Sequence, residues 1–319
     1  MASRRNKSRR GKKSGGKGFL VIIAAIVIAG LAGGWYVIGG DSGSDAKEAS
    51  ISDLIPGMGD EAPEVGEQTG GESQSLAGIE SMLQDISIGI QSTTDQEREK
   101  ALRDGYARLA TLLENPLPLE ERSRAIELFH SITDELFLSA AHNEFCDNYV
   151  VKSGDSYDKI ASRHHISTNL LYDLNNRPRG ASMLHLNDNL KVPKGDPSVI
   201  IRKRDFTCSV YFGKNLVRQY IIAHGRNNNT PVGTTSVASM TIDPEKSARG
   251  SNDPRGEMKL RWIGLDTYAD NRTGFGLHGT QYPDSIPGMT SAGCIRMTDD
   301  DVLEIYDIVR IGNKVEIKA

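Results

Sequence analysis

A chain of 319 residues with 38% hydrophobic and 6% aromatic content is long enough for two or three compact units, and its stretches of polar sequence argue against a single core. The net charge of −4 conceals a division: residues 1–18 carry eight basic residues and no acid, so everything after them carries −12. Such a basic block could serve nucleic acid, but this one abuts a long apolar run, which argues against nucleic acid as a partner.

That run, Phe19–Ile38 ("FLVIIAAIVIAGLAGGWYVI"), has no charged residue in twenty positions. At ~1.5 Å per helical residue it reaches across a ~30 Å hydrocarbon core, so residues 19–38 are expected to form a transmembrane helix. The basic tail, 1–18, should stay cytoplasmic, with Trp35 and Tyr36 at the interface. The acidic remainder then faces the outside of a single-pass cell-membrane protein, in the periplasm or cell wall. A cleaved signal peptide is the alternative, but the run exceeds the usual ~7–15 residue apolar region and lacks an A-x-A site. In an oxidising compartment three cysteines cannot all pair; Cys146 with Cys208 is the candidate disulfide and Cys294 the one left over.

Residues 39–75 turn to Gly, Ser, Pro, Asp and Glu, with nine acids against one lysine between positions 41 and 74. They read as a disordered acidic linker, too poor in apolar surface to offset the entropy of ordering. Residues 76–146 take up helical spacing, as in Leu102, Tyr106, Leu109 and Leu113, then Ile126, Phe129, Ile132 and Leu136. Pro116 and Pro118 divide the runs, because proline begins a helix more readily than it continues one. A small helical region is expected, with three helices if residues 76–90 are included, acting as a spacer or as the docking site of a protein partner.

Residues 148–195 read as a βααβ module. "YVV" is a strand, "GDS" a turn and cap, "YDKIASRHH" and "STNLLYDLN" two short helices, and "NLKVP" the returning strand. Over its whole length, through "YVVKSGDS", "IASRHHIS", "LLYDLNN" and "LHLNDNLKVP", it resembles a LysM domain. The resemblance implies binding to N-acetylglucosamine-containing glycan, peptidoglycan above all, with Gly154, Asp155, Ser156, Asn175 and Asn176 lining a shallow groove. Gly154 and Asp155 would also be needed for the turn and cap alone. His164 and His165 are adjacent and do not share a helix face, so they do not suggest a metal site.

From residue 198 to 319 strands dominate: "VIIRKRD" and "FTCSVYF" alternate, Gly213 and Lys214 make a hairpin turn, and "NLVRQYIIAHG" continues the ladder. Only "DDDVLEIYDIV" reads as a helix, capped by an Asp or by Thr298. Within "FGLHGTQYPDSIPGMTSAGCIRM", residues 275–297, His278 and Cys294 stand sixteen positions apart. A cysteine nucleophile needs a neighbouring imidazole to take its proton and later to protonate the leaving amine. Backbone N–H groups of Gly293 and Cys294 are candidate oxyanion donors. A lone His and Cys at this separation is weak evidence, since a cysteine among glycines is often merely buried.

The full string says more. "GLHGT", the sixteen-residue offset, "S.GCIRM", the acidic helix that follows, the upstream "TPVG" and the closing "IGNKVEIKA" resemble the L,D-transpeptidase (YkuD) catalytic domain. A LysM module directly before such a domain also occurs among these enzymes. The resemblance implies a multidomain protein with a mostly-β catalytic domain. Its cysteine attacks a peptidoglycan tetrapeptide stem, and the thioester passes to an amine, giving a 3→3 crosslink or a protein attachment. Transfer to water would make a carboxypeptidase, and a decayed site would leave a peptidoglycan-binding scaffold. By position Cys294 is the nucleophile, His278 the base, the Gly279 carbonyl the partner orienting the imidazole, and Gly293 a backbone donor. Ser291 would position the loop beside the substrate, and Arg296 would hold a substrate carboxylate or pair with Asp300. Many relatives carry histidine where this chain has Ala292; His224 is the other nearby imidazole and reads as a strand-end residue. No metal or cofactor is implied.

Overall fold

The computed structural model describes residues 75–92, 94–244 and 259–319, all within one compact unit spanning residues 70–319. The basic tail, the apolar run and nearly all of the acidic linker lie outside the described residues. Among the described residues no helix is long and apolar enough to cross a membrane.

Three helices come first: α1 (Leu76–Gly89), α2 (Asp95–Leu113) and α3 (Leu119–Thr133). Ser75 and Thr94 cap the first two through their hydroxyls, and the Glu97 carboxylate reaches back to the Thr94 hydroxyl. Leu83 and Ile86 of α1, Leu102, Leu109 and Leu113 of α2, and Phe129 and Ile132 of α3 are buried in the core. Pro118 opens α3, which closes in a single π-helical turn, Asp134–Leu138.

This helical layer is part of the same packed body as the strands that follow. Arg122 of α3 donates to the Gln219 side chain at 2.8 Å, and His130 Nε2 lies 3.0 Å from the Gln219 carbonyl. Arg218, only 1% exposed, pairs with Glu304 at 2.7 Å and with Asp134, and donates to the Thr133 hydroxyl. The expected spacer or partner-docking region therefore presents α3 to the sheet, and that face is already covered.

The βααβ module consists of β1 (Cys146–Val150), α4 (Tyr157–Arg163), α5 (Thr168–Asp173) and β2 (Asn189–Pro193), with β1 and β2 antiparallel. Ser156 and Ser167 cap its helices over a core of Ile160, Ala161, Ile166, Leu171 and Leu174.

The last part is a ten-stranded sheet formed by β3 (Pro197–Arg202), β4 (Thr207–Phe212), β5 (Asn215–Ile221), β6 (Ala223–Gly225), β7 (Gly233–Ile242), β8 (Lys259–Leu265), β9 (Gly276–Gly279), β10 (Gly288–Ser291), β11 (Ile295–Met297) and β12 (Lys314–Lys318). Its one α-helix among the described residues, α6 (Asp299–Ile308), is capped by the Thr298 hydroxyl. The strand order is β10-β6-β11-β9-β8-β7-β12-β3-β4-β5. The stretch expected as one strand through "NLVRQYIIAHG" is two. Gly213 and Lys214 turn β4 into β5, but after Ile222 the chain joins β10 and β11 at the far end of the order. One residue spans only ~3.4 Å, so the sheet must curl until its two ends meet.

The candidate Cys146–Cys208 bridge is absent, since neither cysteine is in a disulfide. Cys208 faces the core of β4 with no exposure, and burial pushes its thiol well up. The Cys146 thiol instead donates to the Asn143 carbonyl at 3.1 Å.

Two outcomes are expected. Arg218→Met strips Asp134 and Glu304 of their cation; because both carboxylates keep solvent contact, the loss should be about 2 kcal/mol, below that of a fully buried pair, as read by urea denaturation. His130 is lowered to about 4, chiefly by burial and further by the Arg218 charge. The neutral ring suits the fold, so stability is complete above the unfolded value near 6.5 and falls as pH drops from there toward 4. Thermal melts between pH 8 and pH 4.5 should show this decline, and His130→Gln should flatten it.

Candidate active site

Two short parallel strands build the site. β11 pairs with β9 so that Ile295 meets Leu277, Arg296 meets His278 and Met297 meets Gly279. Side chains at paired positions leave the same face, so Arg296 and His278 share one, and Cys294 stands in the bend immediately before β11. The Cys294 thiol is half-buried, with Sγ 3.8 Å from the Gly274 carbonyl.

His278 is held from two directions. Its Nδ1 lies 2.8 Å from the Gly279 carbonyl oxygen. A carbonyl only accepts, so Nδ1 carries the hydrogen and Nε2 is the basic nitrogen of the neutral ring. Beneath it the Trp262 ring, 1% exposed, stacks at 6.0 Å between centroids and 20° between planes. Gly276 makes room for that ring, because a Cβ there would stand 2.6 Å from the indole.

The bend 292–294 is shaped by Ser291, which is 2% exposed. Its hydroxyl accepts from the Gly293 N–H at 3.0 Å and donates to the Cys294 carbonyl at 2.6 Å. The Gly293 N–H expected to serve as an oxyanion donor is thus engaged by Ser291. Gly293 itself has φ +154°, and a Cβ there would meet the Phe275 ring at 2.7 Å, so only glycine fits. Ala292 faces solvent and offers no side-chain chemistry; Asn229 Nδ2 approaches its carbonyl at 3.4 Å. Arg296, placed by sequence near a substrate carboxylate, is 4% exposed in β11, and its guanidinium reaches the Thr290 hydroxyl at 3.3 Å. His224 lies in β6, buried and stacked on Phe206, and burial lowers its pKa.

In the βααβ module three of the five groove candidates hold the module together. Asp155 accepts from the Lys152 N–H and the Tyr149 hydroxyl, Ser156 caps α4, and Asn175 clasps both the N–H and the carbonyl of Lys191. Gly154 (φ +85°), Ser156 and Asn176 (φ +49°) are the exposed ones. His165 turns to Asp196 while His164 packs against Tyr149. Among the described residues no group of three or more His, Cys, Asp or Glu could hold a metal.

Sequence reasoning missed Trp262, whose signal was only a tryptophan in a strand with period-2 spacing. It also missed the loop 226–230, of which "TPVG" was the visible edge. Gly276→Ala should displace the indole from under His278 and lower stability by about 1–3 kcal/mol, read by chemical denaturation together with the shift in tryptophan emission.

Residues 196–317 match the YkuD family, the L,D-transpeptidase catalytic domain, and residues 149–193 match the LysM domain. Two proteins of Bacillus subtilis named "Putative L,D-transpeptidase" are similar. YqjB is 32% identical over 127 residues, 39% of this chain and 72% of its own. YkuD is 30% identical over 178 residues, 53% of this chain and 97% of its own. Among solved structures, L,D-transpeptidase 3 from Mycobacterium tuberculosis, in complex with a faropenem-derived adduct, gives a TM-score of 0.32 at 15% identity, covering 57% of this chain and 93% of that one. The L,D-transpeptidase from Mycobacterium smegmatis gives 0.30 at 20%, with 42% of this chain and 64% of that one. On the likeness to YqjB and YkuD, the chain belongs to the L,D-transpeptidase family, with a LysM domain ahead of its YkuD-type catalytic domain.

Proposed function

We propose that this chain is a membrane-anchored L,D-transpeptidase of the cell envelope that works through a Cys294 thioester. The observation that supports the chemistry best is the His278 tautomer: with Nδ1–H committed to the Gly279 carbonyl, Nε2 is the nitrogen to exchange a proton with the thiol of Cys294, which stands at the head of the strand paired with that of His278. The thiolate attacks the carbonyl of the third residue of a tetrapeptide stem. The bond to the terminal D-alanine breaks, and the imidazolium delivers its proton to the departing amine. A second amine, from a neighbouring stem or a protein lysine, then attacks the thioester, gives its proton to His278 and releases the thiol. Water in its place would give a carboxypeptidase.

The apolar run Phe19–Ile38 would hold the enzyme at the membrane, with the acidic segment as tether. The LysM module would engage the glycan of the same polymer, with Gly154, Ser156 and Asn176 as the exposed groove positions. No metal or cofactor takes part in this scheme.

Incubation with a carbapenem should add one acyl mass at the Cys294 peptide, and Cys294→Ala should lose it. Isolated sacculi treated with the enzyme and then digested should yield 3→3 dimers, with His278→Asn lowering their rate by about 10²–10⁴-fold. Absence of both adduct and turnover in the wild type would leave a peptidoglycan-binding scaffold; tripeptides without dimers would mean transfer to water.

A further inference from the structure

Four consecutive carbonyls ahead of Cys294 are approached by side chains of one loop. Arg226 Nη2 and Nε lie 3.3 Å from the carbonyls of Thr290 and Ser291. Asn229 Nδ2 lies 3.4 Å from that of Ala292, and the Thr230 hydroxyl donates to that of Gly293 at 2.7 Å. Three of these contacts are long and belong to exposed residues, whereas Thr230 has no exposure and makes the short one. Its oxygen also accepts from the Gly225 N–H at 2.8 Å, and its own carbonyl receives Lys203 Nζ at 2.8 Å. The loop is pressed against the bend, since a Cβ on Gly225 would stand 2.8 Å from Gly293 Cα.

A peptide unit is planar, and in the trans form its C=O and N–H point in opposite directions. Fixing the Gly293 carbonyl toward Thr230 therefore fixes the Cys294 N–H away from it. Acyl transfer at a side-chain nucleophile commonly uses the nucleophile's own N–H to meet the developing oxyanion, and such a donor works by being oriented before the reaction. The Gly293 N–H is bound to Ser291, which makes the orientation of the next peptide matter more. We propose that Thr230 is the positioning residue for this reaction: its hydroxyl locks the Gly293–Cys294 peptide so that the Cys294 N–H is presented to the oxyanion, and Arg226 and Asn229 brace the preceding carbonyls. The role of Ala292 becomes intelligible on this basis, because the bend is held through its backbone from outside and needs no side chain at that position. The inference rests on the reading of Cys294 as the acyl-accepting nucleophile.

The test separates two reactions of the same thiol. Iodoacetamide alkylates by direct displacement and builds no tetrahedral oxyanion; a carbapenem acylates through one. In Thr230→Val, alkylation at the Cys294 peptide should stay within about 2-fold of wild type while carbapenem acylation, and kcat with stem peptide, fall about 10- to 100-fold with KM little changed. Thr230→Ser, which keeps the hydroxyl, should restore acylation to within about 3-fold. Equal acylation by folded Thr230→Val and wild type overturns the proposal, and so does a parallel loss of alkylation and acylation. Should Thr230→Val not fold, Arg226→Ala at the exposed end of the loop should slow acylation about 3- to 10-fold with alkylation unchanged; wild-type acylation there overturns it as well. A wild type that alkylates but never acylates overturns the reading of Cys294 as a nucleophile, and this inference with it, whereas an acylating wild type isolates the Thr230 effect.

Discussion

The parallel pairing of β9 with β11 is the constraint from which the site follows. Parallel neighbours start at the same end, so the chain leaving β9 must travel back before β11 can begin. That return accounts for the sixteen-position offset between His278 and Cys294, and it contains β10 and the bend that carries the thiol. A tight hairpin would have set the two strands antiparallel and needed only a few residues between them. The long interval therefore sets Cys294 at the mouth of the strand that pairs with the strand of His278.

Around that pair the fold satisfies polar groups with unusual economy of sequence. Within five residues, the end of β5 and the break after it supply Arg218, Gln219, Tyr220 and Ile222, which tie the sheet to the helical layer, reach Glu304 of α6 and close the curl of the sheet. Buried charge of this kind is expensive to leave alone, and here Arg218 finds partners on two other elements. The sheet is consequently tied to both α3 and α6. Ser291 repeats the pattern on a smaller scale, one hydroxyl serving an N–H and a carbonyl of the same bend.

Local features were legible in the sequence because their causes are local. The 3.6-residue spacing of Leu102, Leu109 and Leu113, the Gly213-Lys214 turn, Thr298 as a cap and the capped pair of short helices in the LysM module each follow from neighbours along the chain. The roles of His278 and Cys294 came from the resemblance of a whole string rather than from their spacing. What remained hidden depends on partners far away in sequence. The break at Ile222 exists because the sheet closes on itself, Trp262 matters because β8 registers with β9, and Thr230 matters because its loop lies against Gly293. Asp155 and Asn175 were groove candidates through the LysM resemblance, and their hydrogen bonds to Lys152, Tyr149 and Lys191 add a structural role that only the folded module reveals.

The seam between the LysM module and the catalytic sheet is made of short, specific contacts. Asn169 bonds Asp307 at 2.9 Å, Arg179 pairs with Asp307 at 2.7 Å, and Asn313 donates to the His165 carbonyl at 2.8 Å. A module on a slack linker raises the local concentration of its ligand over a broad range of distances; a module without slack does so at one distance and nowhere else. A polymer that engaged both parts of this chain would have to match their separation, and its pitch would then set which repeat reaches Cys294.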